Sequence, residues 1–560
     1  MEAPGTARAE STTNPAEPAD GAKLAEPIET SERIERVTAP RGRISTGTWA
    51  WTPGPISLTV VGVLLRLISH NYRLLQRFLE LMPPAPADAF SRARALRTAR
   101  RAALSVPAYK AHLAEHGFDI RRLRATTDLP ETDKRSYVDR HPLTQRCEGG
   151  RLPLIGTTID ESSGSTGHPY NWARSAAERH HVRRMIAFFA RYTFASEPLV
   201  VLNSFSMGAW ATGMTTAAAL EKRGLVKATG PDIDKIIGTM RELGPGYRYL
   251  IVGYPPFLKV LLDEGERSGF DWAPYTMHAL LGGEGNSESL RDYLLRRFTT
   301  VFSGYGVTDV EIGLAAETPI CIVLRRLAMQ RADVAVALFG EADRSPMLFQ
   351  FNPFYHHVET NDNGELLFTV ARDGTLMPKV RYNPHDEGGV LRDDELRARL
   401  ASVGMSLQDL APPHSPRLIR MPYLYVFGRK DSTVSVMGAN IYPEDIESAV
   451  YAAPDLARRV LSYQLSVLED QPGETRPAVA IQLLSGEPDD GFRDAMAAHL
   501  TDRLRAMNRD YGEASREYPA LMPFIVTLHR RGEGPFAGTE GRIKFRYIAP
   551  PSGDSPPAVH

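Results

Sequence analysis

This sequence predicts an α/β fold: a large N-terminal domain with parallel sheets covered by helices, and a smaller α+β domain capping its C-terminal end. Three observations carry the expectation. Between Leu199 and Tyr305, short apolar runs alternate with helix-like stretches in β-α-β-α order, the pattern of a parallel sheet covered by helices. From Gln330 to Thr369 the texture changes to alternating strands. Beyond Gly428-Arg429-Lys430-Asp431 the chain mixes strands with one long helix, as a separate module would.

Composition sets the bounds. A length of 560 residues suits two or more domains, and 42% hydrophobic with 24% charged residues is near the globular average. Lys and Arg number 66 against 67 Asp and Glu, a net charge of −1, so the electrostatic footprint of a nucleic-acid binder is missing. The two cysteines, Cys147 and Cys321, make neither a disulfide framework nor a metal finger. They fit a reducing, cytoplasmic setting.

The elements follow in order. Residues 1–55 are rich in Ala, Pro, Glu, Thr and Ser without apolar periodicity and are expected to be a disordered tail; their acidic residues argue against a signal peptide. The apolar run from Ile56 to Ile68 is interrupted by Arg66, well short of a membrane span. It predicts a buried or surface-docked helix continuing through Tyr72, Leu75 and Phe78, with a peripheral membrane or dimer contact as the alternative. Phe90 to His116 mixes Arg with Ala and Leu at helical spacing, a solvated basic face broken at Pro107. Leu129-Pro130-Glu131-Thr132-Asp133-Lys134 reads as a loop ending in a helix cap at Thr132 or Asp133. Ser175 to Thr193 reads as a helix on which His180 and His181 point to different faces, so a shared metal is not expected.

Strands are then expected at Leu199–Asn203, Tyr249–Tyr254, His278–Glu284 and Thr300–Tyr305, with helices over Ala211–Arg223, Phe257–Gly269 and Ser287–Phe298 between them. Further strands are expected at Gly364–Thr369 and Pro378–Tyr382. After the boundary come strands at Arg459–Leu468 and Ala478–Leu484 and a helix over Phe492–Met507. The predicted organisation is a large domain over 56–429, a C-terminal domain over 430–549, which the resemblance described below implies to be mobile, and a disordered tail over 550–560.

The stretch around which these elements are organised is Ile159 to Trp172. Its centre, Ser162-Ser163-Gly164-Ser165-Thr166-Gly167, combines glycines that let the backbone approach a ligand with hydroxyl and N–H donors that suit an anion. It is a candidate phosphate cradle; a plain surface turn is the other reading, and no Gly-Lys-Ser/Thr closes it as a P-loop would. In parallel sheets ligands gather at the carboxyl ends of strands. The loops Gly253-Tyr254-Pro255-Pro256, Gly282-Gly283-Glu284-Gly285 and Gly304 to Asp309 fall at those ends.

The order of motifs resembles the AMP-forming acyl-CoA synthetase and adenylation (ANL) superfamily, and within it the phenylacetate-CoA ligase group. The matching elements are Ser162 to Pro169, Tyr305-Gly306-Val307-Thr308-Asp309, Gly364-Glu365-Leu366-Leu367, Arg381-Tyr382-Asn383-Pro384-His385-Asp386, Gly428 to Asp431, and Gly438 to Glu447. Leu129 to Lys134 also resembles the N-terminal part of that group. The likeness covers roughly residues 90 to 548. It implies that Ser163, Ser165, Thr166 and Gly167 hold the ATP β- and γ-phosphates, with His168 beside them. Gly283, Glu284 and Gly285 would line the adenine slot and Tyr305 would stack on the purine. Thr308 would donate to the α-phosphate, Asp309 would hold Mg²⁺, Asp386 would bind the ribose hydroxyls, Arg429 would add a charged donor, and Asp431 would be the hinge. The acid is expected between Trp210, Tyr254, Phe257 and Gly304, where the aromatics suit an aryl or unsaturated acid; packing as core is the plainer role for them.

Three departures from the family pattern stand out. His168 takes the place of the usual Lys, making one charge on the triphosphate pH-dependent or absent. Asp309 replaces the usual Glu and is one methylene shorter. Near the C-terminus, Gly541-Arg542-Ile543-Lys544 offers Lys544 as the catalytic cation, with Arg542 nearer the family's position; guanidinium and ammonium are not interchangeable there.

The implied reaction is ATP-dependent activation of a carboxylic acid as an acyl-adenylate, followed by transfer to a thiol such as coenzyme A. Relatives in specialised metabolism use other acceptors, forming amides or diazotising an aryl amine with nitrite, and a non-catalytic nucleotide-binding relic is a further alternative. The resemblance also implies a small-molecule acid as partner, no membrane span and a homodimer.

Overall fold

The computed structural model describes residues 53–549 except 163–169, 195–196, 209–210, 343, 414, 430–433, 438, 472–473 and 538–546. Both chain tails lie outside the described residues.

The chain enters through α1 (Pro55–Ile68) and α2 (Tyr72–Leu81). These are two helices where one was expected. Asn71 is extended and its side chain accepts from the Leu74 N–H, so it caps a new start. α3 (Pro84–Ser105) and α4 (Pro107–Glu115) break at Val106-Pro107 as read, because the residue before a proline is driven to extended backbone. Asp133 is the cap foreseen for the next turn: its carboxylate accepts from Ser136 N at 2.6 Å. The hairpin β1 (Thr157–Ser162) and β2 (Tyr170–Ser175) leads into α5 (Ala176–Thr193).

The main sheet is then laid down as β3 (Leu199–Asn203), β4 (Gly224–Ala228), β5 (Arg248–Gly253), β6 (Thr276–Gly282), β7 (Thr300–Val307), β8 (Glu311–Ala316) and β9 (Met347–Phe351). A hairpin of β10 (His356–Thr360) and β11 (Leu366–Val370) follows, then β12 (Asp386–Leu391) and β13 (Tyr423–Arg429). Nine strands form one sheet in the order β12-β13-β9-β8-β7-β6-β5-β3-β4. The five from β3 to β7 run parallel, whereas β8, β9, β13 and β12 pair antiparallel. The sheet is therefore mixed rather than parallel throughout. Its parallel half bears the expected helices, including Pro255–Arg267 and Glu288–Leu294.

Two expectations need correction. Residues from Gln330 onward do not go straight into strands, since helices Pro319–Gln330 and Ala332–Phe339 come first; their apolar run is too continuous for its period to be read. Pro378 to Tyr382 is not a strand. Tyr382 makes only isolated bridges to Thr132 and Phe368, because Pro378 lacks an N–H and Arg381 takes a positive φ of 45°.

The C-terminal residues form β14 (Val434–Val436), β15 (Ala439–Ile441), helix Pro443–Ala452, and a three-stranded sheet of β16 (Val460–Gln471), β17 (Glu474–Leu483) and β18 (Ile525–His529) backed by helix Asp490–Met507. Their apolar residues run into those of the parallel half in one cluster, with Ile446, Val450 and Leu465 beside Leu258, Leu290 and Leu294. At the same joint the buried Lys259 ammonium pairs with Asp263 at 2.9 Å and donates to the Val460 carbonyl.

Candidate active site

The parallel pairing of β5, β6 and β7 ends nearly level, with Gly253 opposite Leu281 and Gly282 opposite Gly304, while β7 runs on to Val307. The three loops singled out in the sequence therefore leave the sheet side by side. Gly283 has φ +86°, and a Cβ there would lie 2.6 Å from the Tyr254 ring, so only glycine lets the chain turn over that ring. Tyr254 itself is buried, edge-on to Phe205 at 5.0 Å, and Phe257 is partly buried beside the same core. Tyr254 thus packs as core, while Trp210 lies outside the described residues.

Tyr305 follows directly on the Gly282–Gly304 pair, at the end of the parallel ladder. Its hydroxyl donates to Asp386 Oδ2 at 2.5 Å, and its ring leans on Phe349 and Phe368 at 5.6 and 6.1 Å. Burial and the neighbouring Asp386 carboxylate raise the phenol well above its ordinary range, so it stays a donor at all working pH. Asp386 faces Arg429 across the β12–β13 ladder. One carboxylate thus fixes the ring, and its residue is the register partner of Arg429.

At the other end, β1 and β2 close at Ser162 opposite Tyr170. The turn they carry, with Ser163, Ser165, Thr166, Gly167 and His168, lies outside the described residues. Its stem is tied to the Tyr305–Asp309 loop by Arg174, which donates to the Thr308 carbonyl and, at 2.8 Å, to that of Val310, and pairs with Asp160 at 3.3 Å. Asp309 is buried and its Oδ2 accepts from the Tyr382 hydroxyl at 3.0 Å and the Lys134 ammonium at 3.1 Å. Lys134 also lies 5.2 Å over the Tyr170 ring, so it touches both the stem and Asp309. Sequence reasoning saw Lys134 only as the end of a cap motif. A lone Lys after Thr-Asp carries no spacing signal, and only tertiary packing brings it to Asp309. Two more cations lie behind, Lys379 at 4.5 Å and Arg146 at 5.5 Å from the Trp172 ring centre. Burial pulls Lys379 well below its ordinary pKa.

The base end has the opposite character. Glu284 Oε2 accepts from the Tyr547 hydroxyl at 3.1 Å, and Glu447 Oε2 accepts from Ser287 N at 2.5 Å. Burial pushes Glu447 and Glu444 up to about 7 and Asp445 to about 6. Tyr547 was missed in the sequence: it follows the Arg542/Lys544 motif directly, and nothing in its spacing marks it as a partner of Glu284. Residues 538–546 and Asp431 lie outside the described residues.

No group of three or more His, Cys, Asp or Glu suited to a metal exists among the described residues. Magnesium takes one or two carboxylates together with substrate phosphates. Asp309 keeps one oxygen beyond the one engaged by Lys134 and Tyr382, so the residues fit.

No family model matches the chain. Among curated proteins it is 23% identical over 380 residues to a phenylacetate-coenzyme A ligase of Aromatoleum evansii, covering 65% of this chain and 74% of that one. It is 21% identical over 470 residues to the Pseudomonas putida phenylacetate-coenzyme A ligase, covering 79% and 90%. Among solved structures, a 2-hydroxyisobutyryl-CoA ligase in a postadenylation state aligns with a TM-score of 0.61 at 13% identity, covering 84% of this chain and 91% of that one. The same ligase in its thioesterification state aligns at 0.50. The fold is therefore that of the adenylate-forming CoA ligases. The sequence matches point the same way: the chain is similar to phenylacetate-coenzyme A ligases, the group its motif order resembles.

Proposed function

We propose that this AMP-forming ligase activates an aryl or unsaturated carboxylic acid with ATP and passes the acyl group to coenzyme A. The observation that carries the reading is the bond from the Tyr305 hydroxyl to Asp386, whose register partner is Arg429, with Glu284 on the neighbouring loop after β6 and Thr308 and Asp309 on the loop after β7 that Arg174 ties to the β1–β2 stem. Tyr305 offers a ring held from behind, so a purine has a fixed plane to lie on. A carboxylate such as Asp386 suits vicinal hydroxyls as an acceptor, and Arg429, its register partner across the ladder, would add a positive charge.

The acid's carboxylate oxygen attacks the α-phosphorus and the bond to pyrophosphate breaks. A thiolate then forms the C–S bond as the C–O bond to AMP breaks. Little covalent work falls to the protein, and positioning and charge stabilisation supply most of the rate. Asp309 would hold Mg²⁺, which when bound neutralises phosphate charge. Thr308 lies in the loop clamped by Arg174, so its hydroxyl stands on a rigid base. Lys544 or Arg542 would supply the C-terminal cation; support comes from Tyr547, three residues beyond Lys544, which is anchored on Glu284. Asp431 is the proposed hinge between a large domain over 56–429 and a mobile module over 430–549.

Pyrophosphate exchange over a panel of aryl, cinnamoyl and amino-aryl acids tests this, followed by a coenzyme A trap and a parallel arm with nitrite. Exchange with an aryl acid and thioester formation are expected. Exchange without thioester, or product only with nitrite, would reassign the acceptor. Lys544→Ala should abolish exchange; full exchange there and its loss in Arg542→Ala would move the role.

A further inference from the structure

Helix α1 is apolar on two faces. Leu58 and Leu65 are buried in a cluster with Leu75, Leu79, Phe188 and Phe189. Ile56, Val60, Val63, Leu64 and Leu67 recur at helical spacing on the other side, and all are half exposed or more, Ile56 81% and Leu67 65%. Leu74 and Leu81 of α2 add to the exposed apolar surface. A contiguous apolar stripe of this kind marks an interaction site. No described helix is long and apolar enough to cross a membrane, so contact would be with a surface.

The rim of the stripe is cationic. Arg66, His70 and Arg73 are exposed, and neither Arg66 nor Arg73 has an ion pair among the described residues. Arg184 Nη1 lies 3.1 Å from the His70 ring, and the His180 ring is 6.2 Å from it. The charged neighbours of His180 are Arg183, Arg184 and Lys222, all basic. The nearby carboxylates are outnumbered: Asp373 stands among Arg94, Arg97 and Arg101, and Glu80 pairs with Arg77.

We propose that α1 and α2 form a docking edge for a bilayer surface rich in anionic lipid. Apolar side chains enter the acyl boundary while the basic rim meets the headgroups, the arrangement of an interfacial amphipathic helix. A second copy fits less well, because a two-fold contact through this face would set one cationic rim against another.

Flotation of the full chain with vesicles of phosphatidylglycerol and phosphatidylcholine, against phosphatidylcholine alone, tests this. Binding is expected only to the anionic vesicles and to weaken as ionic strength rises from about 0.05 to about 0.5 M. Val63→Glu with Leu67→Glu should weaken it at least about tenfold, and Arg66→Glu with Arg73→Glu should do likewise; pyrophosphate exchange stays unchanged in both. Should the first pair fail to fold by circular dichroism, the arginine pair decides. No flotation, equal flotation on neutral vesicles, or a dimer in sedimentation that Leu67→Glu dissociates without any lipid binding would overturn the proposal.

Discussion

The two ends of the proposed nucleotide site are built on opposite electrostatics. The hairpin end gathers Lys134, Arg174, Lys379 and Arg146 around Asp309 and Trp172. The far end gathers Glu284, Glu447, Glu444 and Asp445 among Tyr463 and Tyr547. Each end strains against its own charge: burial lowers Lys379 at the first and raises three carboxyls at the second. A polyanion relieves the first end. The second suits a neutral base, because protonated carboxyls and phenols offer donors as well as acceptors. In the proposed reading this polarity would orient a nucleotide, charged at one end and neutral at the other.

The largest blow to this polarity should come at its midpoint. Asp386→Ala removes the acceptor of Tyr305 and should lower kcat/KM for ATP about 10²- to 10³-fold, with the melting temperature nearly unchanged. Lys134→Met removes one charge from the hairpin end and leaves Asp309, among the described residues, with the Tyr382 donor alone. A fall of about ten- to a hundredfold is expected, mainly in KM for ATP, with partial recovery in Lys134→Arg; an unchanged KM would confine Lys134 to packing. Gly283→Ala forces a Cβ toward the Tyr254 ring at positive φ and should cost about 2 kcal/mol in chemical denaturation.

The smallest effect sharpens the far end. Glu447 has its folded pKa raised to about 7 from an ordinary 4.5, so the native state holds this proton more tightly than the unfolded chain does. Its contribution is full below about pH 4.5 and is lost as pH rises through about 7. Glu447→Gln, which no longer titrates, should therefore gain stability over the parent as pH goes from about 5 to about 8, by about 1 kcal/mol at the upper end. A stability difference flat in pH would show the carboxyl to be charged throughout.

Much of this was legible in the residues themselves. The alternating runs from Leu199 to Tyr305 became β3 to β7 with their helices nearly as read, since strand and helix periods differ sharply there. Tyr305, Asp386 and Arg429 lie far apart in sequence, yet the fold bonds Tyr305 to Asp386 and sets Asp386 opposite Arg429 in one ladder. Lys134, Arg174 and Tyr547 were not legible as site residues, because each acts by reaching across from another element, and a single charged or phenolic residue has no period to betray it. The split between α1 and α2 was equally hidden: the apolar pattern runs through, and only the Asn71 side chain breaks it.

Lys259 gives the joint between the two sheets an unusual character. Its ammonium is sealed from solvent, burial lowers its pKa, and its partners are Asp263 on its own helix and a carbonyl of β16. A buried ion pair stabilises weakly, because water lost from both charges offsets most of their attraction. When the C-terminal module turns away in the proposed cycle, water would return to that ammonium as the carbonyl leaves. The apolar contacts then resist parting while the charge favours it, leaving a seam that is watertight when shut yet inexpensive to open.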